Sequence, residues 1–222
     1  MQKRQQGFTL IEIAIVLVII GLLLGGVLKG QELIQNARVR NVIAQQDGVK
    51  AAFFGFQDRY RGLPGDYTGA AANIPNAGTT CVGDGDSLIE TGESICAWYH
   101  LSRAGFITGN YTGVGTTANT ANSPSNPFGG LMQLIFDPTY ADTSTPTNVH
   151  NVKTGTNIPS TTLAEIDRKI DDGVPDTGNF RFSTWQSSPA SCFTASTTGT
   201  PPTVGAWSIL STNAQCGGAS LF

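Results

Sequence analysis

The first quarter of the chain is continuously apolar and then becomes periodic. From Phe8 to Leu28 there are 21 residues without a lysine or an arginine. As a helix rising about 1.5 Å per residue, this run is about 30 Å long, which is the thickness of the hydrocarbon core of a bilayer. The pattern therefore predicts a transmembrane segment over residues 8–28.

After this run, apolar side chains recur at the spacing of one helix face. The intervals between them are 3, 7, 4, 3 and 4 residues, and Gln46 fills the one gap in the series. The first proline, Pro64, lies in RGLPG, which is a strong stop signal. We therefore predict one helix over residues 8–60 that lays an apolar stripe against an exported head, residues 61–222. The stripe consists of Val39, Val42, Val49, Phe53, Phe56 and Tyr60.

A carboxylate, Glu12, lies near the start of the apolar run. An acidic side chain costs about 3 kcal/mol at mid-membrane and less near an interface. Glu12 either reaches the headgroups or requires a positive partner, and the apolar run contains no lysine or arginine. Lys3 and Arg4 precede the run, and because positive residues stay in the cytoplasm, we expect the N-terminus inside and the head outside.

The amino-acid composition changes after Arg61, where Gly, Thr, Asn and Pro separate short apolar runs. These runs predict a small antiparallel sheet with long loops, among them a polar loop at 110–127. Together with the long helix they define an α+β fold. The expected strands are 131–136, 179–185 and 204–210, and the expected head helices are about 93–104 and about 160–171. Thr162 and Glu165 fit a capping box at the start of the second head helix.

Composition and charge narrow the possible partners and the cysteine chemistry. The whole chain has a net charge of −3, and residues 61–222 carry 12 acidic and 6 basic side chains. An acidic head disfavours binding to phosphate backbones, so no nucleic-acid partner is expected. An even number of cysteines in an exported head predicts two disulfides, and three pairings are open. The four cysteines are Cys81, Cys96, Cys192 and Cys216.

The N-terminal segment MQKRQQG-FTLIEIAIVLVIIGLLL resembles the leader and helix of type IV pilins and of the pseudopilins of type II secretion. The resemblance covers about residues 1–60. It consists of a short basic leader ending in Gly7, then Phe8, then Glu12 as the fifth residue of the mature chain. It implies that a prepilin peptidase removes residues 1–7 on the cytoplasmic face and N-methylates Phe8.

This resemblance supplies a partner for Glu12. Cleavage creates an α-amino group at Phe8, which is positive near neutral pH. In a staggered filament Glu12 would meet this group on a neighbouring subunit, and the pair would favour one register. Gly21 and Gly25, like Gly26 and Gly30, form small-xxx-small pairs that allow close helix contact in lipid.

The resemblance also implies the general plan of the head and the partners of the chain. Pilins have an α+β head on a helical spine, and many have a C-terminal loop closed by a disulfide, here Cys192–Cys216. Cys81–Cys96 is the natural complement because these two cysteines lie close together in the sequence. The implied partners are other pilin subunits, the prepilin peptidase, the inner membrane and an assembly platform.

Two acidic segments of the head are candidates for cation chemistry. Asp84, Asp86 and Glu93 occupy the third, fifth and twelfth places of an EF-hand-like loop, which makes calcium the candidate cofactor. Val82 stands at the first place of this loop, and Ser87 stands where an EF-hand usually has glycine. The alternative is therefore a polar turn closed by a disulfide.

The second acidic segment lies at the C-terminus of a predicted helix, where the helix dipole disfavours anions. Its acidic residues are Asp167, Asp171, Asp172 and Asp176. Nearby Arg168 and Lys169, a cation, or loop amides after Gly173 are expected to offset this charge.

These features predict a structural filament subunit rather than an enzyme. His100 and His150 lack a convincing nucleophile or metal partner in the sequence, so no catalytic residue is assigned. The alternatives are a pseudopilin of a type II secretion system, a minor tip pilin binding a surface ligand, and an anchored domain that never polymerises. The expected location is the inner membrane with a periplasmic head, followed by a periplasmic or extracellular filament.

Overall fold

The computed structural model describes residues 10–198, 202–210 and 214–222. The chain divides into two compact units, Met1–Arg38 and Val39–Phe222. Helix α1, Leu10–Tyr60, contributes to both, so its second half belongs to the same unit as the head. The predicted helix is thus confirmed from Leu10 onward, and Gly7 and Phe8 lie outside the described residues.

In the first unit, α1 exposes its apolar side chains. Every residue from Leu10 to Leu28 is exposed, and this part of the helix is long and apolar enough to cross a membrane. Apart from the adjacent residues and the nearby helix backbone, no heavy atom of the described residues lies within 4 Å of a Cβ built on Gly21, Gly25 or Gly26. The surface that the sequence assigns to lipid and to helix contacts is therefore open in the single chain.

In the second unit, α1 buries one stripe against the head. The stripe is the predicted one with Ala52 added, and Gln46 indeed fills the gap in the series. Tyr60 is partly buried at the end of the stripe and packs against the core. The buried residues of α1 are Val39, Val42, Gln46, Val49, Ala52, Phe53 and Phe56.

The head contains the small antiparallel sheet expected of an α+β fold. In chain order its strands are β1, Gln133–Asp137; β2, Val149–Lys153; β3, Phe180–Phe182; and β6, Gly218–Leu221. They lie in the order β1-β2-β6-β3, with antiparallel neighbours. A separate hairpin pairs β4, Phe193–Thr194, with β5, Ala206–Trp207.

One row of paired residues crosses the sheet and faces the core. Leu134 pairs with Val152, Val152 with Ser220, and Ser220 with Phe180. All four side chains are buried.

Several predicted strand boundaries were wrong, and three strands, β2, β4 and β6, were not predicted. The strand expected at 204–210 shrinks to Ala206–Trp207, and the one at 179–185 shrinks to Phe180–Phe182 before a 3-10 turn, Trp185–Ser187. The strand expected at 131–136 begins at Gln133. Strands β2 and β6 were not predicted, although they form the centre of the sheet.

Both predicted head helices are present, but the expected capping box is wrong. They are α3, Glu93–Arg103, and α4, Ser160–Ile170; a short helix α2, Ala70–Asn73, precedes them. The N-cap of α4 is Pro159, so Thr162 lies inside the helix, where it is buried. The helix begins earlier, because the carbonyl oxygen of Pro159 accepts the first hydrogen bonds of the helix from the amides of Thr162 and Leu163, at 2.9 and 3.1 Å.

The core of the head consists of two clusters along the same helix. The first gathers the end of α1 with α3, β1 and β2, including Phe56, Trp98 and Leu134. The second gathers Val39 and Val42 with α4, β3 and the C-terminal disulfide. Gln46 is buried at the position of α1 between these two sets, and neither polar atom of its amide has a hydrogen-bond partner among the described residues.

Candidate functional site

The assembly candidate, Glu12, lies in the first turn of the described part of α1. Its side chain is exposed in the single chain. The other half of the predicted pair, the amine of Phe8, lies outside the described residues, so the pairing stays a prediction.

The acidic loop brings together carboxylates that are far apart in the sequence. Ligand oxygens of Asp66, Asp84 and Asp86 lie within 4.8 Å of one another. Asp66 follows the end of α1 and accepts hydrogen bonds from the amides of Gly85 and Ser87. Asp66 was not predicted from the sequence, because it lies outside the loop. The apolar Val82 at the first place of the loop was a signal that a ligand could come from another part of the chain.

Glu93 closes the same loop from the start of α3. Its Oε1 accepts a hydrogen bond from the amide of Asp84 at 3.3 Å, and its Oε2 accepts one from the amide of Glu90 at 3.4 Å. Burial raises the pKa of both Asp66 and Glu93, and the neighbouring carboxylates raise it further. The amides that hydrogen bond to each side chain, those of Gly85 and Ser87 for Asp66 and those of Glu90 and Asp84 for Glu93, lower it. The loop is thus a concentration of negative charge held by backbone amides.

The backbone of the loop is shaped for this close approach. A Cβ on Gly83 would lie 2.0 Å from the carbonyl carbon of Asp66, so only glycine fits. Ser87, at the place where an EF-hand has glycine, adopts a left-handed φ of 70°. The Cys81–Cys96 disulfide, with a Cα–Cα distance of 5.4 Å, closes the loop.

The second acidic segment is a hub of hydrogen bonds. Asp171 Oδ2 accepts from the amides of Asn179 and Phe180, and Asp172 Oδ1 accepts from the amide of Val174. The expectation that loop amides after Gly173 offset the charge agrees with these contacts. They hold the turn that follows α4 and the start of β3.

The other two carboxylates of this hub hold the segment between Cys192 and Cys216. Asp167 Oδ2 accepts from the indole nitrogen of Trp207 at 2.7 Å, and Asp176 accepts from the amide and hydroxyl of Ser196. The structure joins Cys192 to Cys216, the pair that the resemblance implies, and Cys81 to Cys96, the pair expected from their closeness in the sequence. Burial raises the pKa of Asp167 to about 6, against hydrogen bonds from Trp207 and Gly173 that lower it.

Both ring nitrogens of the buried histidine, His100, are held by backbone groups. Its Nδ1 accepts a hydrogen bond from the amide of Gly65 at 2.9 Å, so the proton lies on Nε2, which is 3.0 Å from the carbonyl oxygen of Cys81. Burial lowers the pKa of His100. The neutral ring therefore joins the end of α1 to the acidic loop.

Comparison with known proteins places the N-terminal segment in a defined class. A family model described as the prokaryotic N-terminal methylation motif matches residues 2–28. This motif is the signature of type IV pilins and pseudopilins, and the long apolar helix with a small antiparallel sheet is consistent with the pilin-like fold. The chain thus carries the signature of a structural, pilin-type class of protein. Searches of curated proteins and of solved structures gave no match.

Proposed function

We propose that this protein is a structural subunit of a type IV pilus-like filament, anchored in the inner membrane until it polymerises through the first half of α1. The observation that carries the proposal is the methylation motif at residues 2–28, which coincides with an exposed apolar helix. A prepilin peptidase would cut after Gly7 and methylate Phe8. The head would then lie on the outer side of the membrane and form the filament surface.

The proposed role of Glu12 follows from electrostatics. In a dry filament interior a carboxylate and an amine attract each other, while either charge alone is costly. A stagger that places Glu12 beside the amine of Phe8 on the next subunit is therefore favoured over other staggers. Glu12 acts in this scheme as the residue that sets the register of assembly.

Filament assembly of Glu12 variants in cells tests this role. Glu12→Ala is expected to insert into the membrane but to form few or no filaments, and Glu12→Gln is expected to do the same because it is uncharged. The matched control is Glu32→Ala on the same helix, which removes only the exposed ion pair with Lys29. Assembly of Glu12→Ala at the wild-type level would contradict the proposal.

The same N-terminal physics would serve a pseudopilin of a type II secretion system. Immunogold microscopy of the native cells separates the two roles. Long filaments outside the cell support a pilus, and short structures confined to the periplasm, with a secretion defect on deletion, support a pseudopilus. Neighbouring genes for a retraction motor or a secretion channel give a second criterion.

Calcium binding at the acidic loop stays a prediction. The proposed calcium ligands are Asp84, Asp86 and Glu93. Asp66, which lies outside the loop, would supply the ligand that Val82 lacks at the first place. Hard cations prefer such oxygen ligands. Isothermal titration of the full chain in detergent is expected to show heat of calcium binding. Asp66→Asn should remove this heat, and the control Asp58→Asn, at an exposed position of α1, should leave it unchanged. Absence of heat in the wild type would end the calcium hypothesis.

A further inference from the structure

A lysine side chain is buried in the head sheet, and neither the acidic loop nor the assembly segment of α1 uses it. Lys153 is fully buried, and it ends the central strand β2 between its two strand partners, Gln133 of β1 and Ala219 of β6. Lysine is almost never fully buried unless its ammonium group is paired. Among the described residues its acidic partner is Asp137, at the end of β1. The sheet thus holds an amine and a carboxyl group together.

The amine nitrogen of this pair lies close to the carboxyl carbon. Lys153 Nζ donates a hydrogen bond to Asp137 Oδ2, and the carbon Cγ lies one C–O bond, about 1.2 Å, beyond that oxygen. An amine attacks a carboxyl carbon from a distance of about 3–3.5 Å. The strands that carry the two residues are hydrogen-bonded to each other, which fixes the two groups near this geometry.

Hydrogen-bond donors surround the carboxyl group of Asp137. Its Oδ1 accepts from Nδ2 of Asn151 at 3.2 Å and from the amide of Thr139 at 3.1 Å. Its Oδ2 also accepts from the hydroxyl of Thr139 at 2.7 Å. Two N–H donors on one oxygen stabilise the negative charge that develops there when a nucleophile adds to the carbon. The site therefore contains a nucleophile, a carboxyl carbon and an oxyanion hole.

The protonation of the pair sets the first step that a reaction would need. Burial lowers the pKa of Lys153, and the attraction of Asp137 only partly offsets this. Burial raises the pKa of Asp137, but hydrogen bonds from Lys153 and Thr139 hold it below its usual value. The two groups therefore form an ion pair at rest. One proton must move from Nζ to Oδ2, along the existing hydrogen bond, before the neutral amine can attack.

We propose that Lys153 and Asp137 condense to an amide, an isopeptide bond that cross-links β2 to β1. Nζ bonds to Cγ, Oδ1 holds the negative charge within its two hydrogen bonds, and the bond from Cγ to Oδ2 breaks. The two protons that Nζ loses leave with Oδ2 as one water, so the step needs no oxidant, metal or other reactant. The product is a neutral amide, which no longer requires a buried counter-charge.

Burial and fixed geometry favour this condensation over the ion pair. In water, an ammonium and a carboxylate do not condense, because both ions are well hydrated. Here the ammonium is already out of water, where a charge is costly, and oriented groups reach effective molarities of about 10⁵–10⁸ M. The ion pair between Lys169 and Glu165 on α4 is solvent-exposed and is expected to stay ionic.

Peptide mass spectrometry of the full chain tests the proposal. Trypsin does not cut after an acylated lysine, so a linked protein gives residues 104–168 as one peptide, and an unlinked protein gives 104–153 and 154–168. The linked peptide is expected to be lighter than its sequence by about 18 Da, the mass of one water. Unmodified peptides 104–153 and 154–168 would overturn the proposal. A loss of about 17 Da would also overturn it, because it means that Asn151 released ammonia instead.

This test does not depend on filament assembly, because the segment 104–168 lies outside the processed N-terminus and contains no cysteine. Lys153→Met removes the amine and is expected to give the peptide 104–168 without any loss of mass. Asp137→Ala removes the carboxyl carbon and is expected to restore cleavage after Lys153. Lys169→Met, the matched control in an exposed ion pair, is expected to keep the loss. A loss of water that persists in Lys153→Met would overturn the proposal.

The rate of cross-linking tests the oxyanion hole. Asn151→Ala keeps the amine and the carboxyl group but removes one of the two N–H donors to Oδ1. In a pulse-chase experiment this variant is expected to form the linked peptide about a hundredfold more slowly than the wild type. An unchanged rate would contradict the assignment of Asn151 to this step.

Discussion

The two halves of α1 are one helix with two different surfaces. From Leu10 to Leu28 every side chain is exposed and nearly all are apolar. From Val39 to Phe56 one apolar stripe is buried, and the other faces are mostly polar, with Phe54 as an exposed apolar side chain. The second half packs its apolar stripe against the head, whereas none of the residues that the structure describes covers the apolar surface of the first half.

Because of this difference, the stability of the head and the free energy of membrane insertion and assembly depend on different parts of α1. The stability of the head depends on the second half of α1, since side chains such as Phe56 lie in its core. Under the proposed function, membrane insertion and assembly depend on the first half. Substitutions in the two halves should therefore have separable effects.

Phe56→Ala should have the largest effect on the head. Phe56 is fully buried and contacts Tyr60, Tyr67 and Phe106, so truncation leaves a cavity and should destabilise the head by about 3–5 kcal/mol. Denaturant unfolding in micelles measures this. The matched truncation Leu17→Ala, in the exposed half, should leave the unfolding midpoint unchanged. Equal losses in both variants would erase the distinction between the halves.

Val18→Lys should reverse the pattern. A lysine near the centre of the apolar run should oppose insertion by about 2.5–3.5 kcal/mol, while the folded head keeps its unfolding midpoint. Membrane fractionation of the expressed protein measures insertion. The control is Gln57→Lys, which adds the same charge on an exposed position of the second half. Normal membrane retention of Val18→Lys would argue against a spanning role for this segment.

The pH dependence of stability should come from the head alone. Asp167 has a pKa of about 6 when folded, raised from 3.8, so its contribution is present at low pH and is lost as the pH rises through about 6. The effect is on the order of 1–3 kcal/mol. His100 and His150, whose pKa values burial lowers, act in the opposite direction.

Asp167→Asn isolates the contribution of Asp167 from that of the histidines. Thermal unfolding is compared at pH 5 and pH 7.5 for the wild type and the variant. The wild type should lose more stability, or gain less, than Asp167→Asn on going to pH 7.5. Identical pH responses of the two proteins would show that Asp167 does not titrate as described.

Gln46→Leu should have the smallest effect and the opposite sign. The buried amide of Gln46 has no hydrogen-bond partner among the described residues, so a leucine of similar size should stabilise the head by about 1–2 kcal/mol. The midpoint of denaturant unfolding measures the gain. Gln57→Leu, on an exposed face of the same half, should be neutral. Destabilisation by Gln46→Leu would point to a polar partner such as an ordered water.

The long helix and its stripe were predictable because their periodicity is strong. The stripe from Val39 to Phe56 follows from spacing alone. Both head helices were also predicted, although the capping box expected for the second is wrong. The disulfide pairing could not be derived from the residues, because four cysteines allow three pairings. The resemblance to a known family was needed to favour Cys192–Cys216.

The central strands were not predictable because tertiary contacts select them. Strand β6 is Gly-Ala-Ser-Leu, which has no β-branched residue; it packs so closely that a Cβ on Gly218 would lie 2.4 Å from the ring of Phe180. Strand β2 contains a fully buried lysine, Lys153, whose ion pair with Asp137 is visible only once the strands are paired. Asp66 joined the acidic loop for the same reason, from a distant point in the chain.

The N-terminus of the protein from native membranes tests the central claim most directly. Mass spectrometry of the purified chain should find it beginning at Phe8, with a methyl group on the terminal amine and without residues 1–7. A chain that still begins at Met1 in assembled material would contradict the claim, because the amine proposed to meet Glu12 would then not exist.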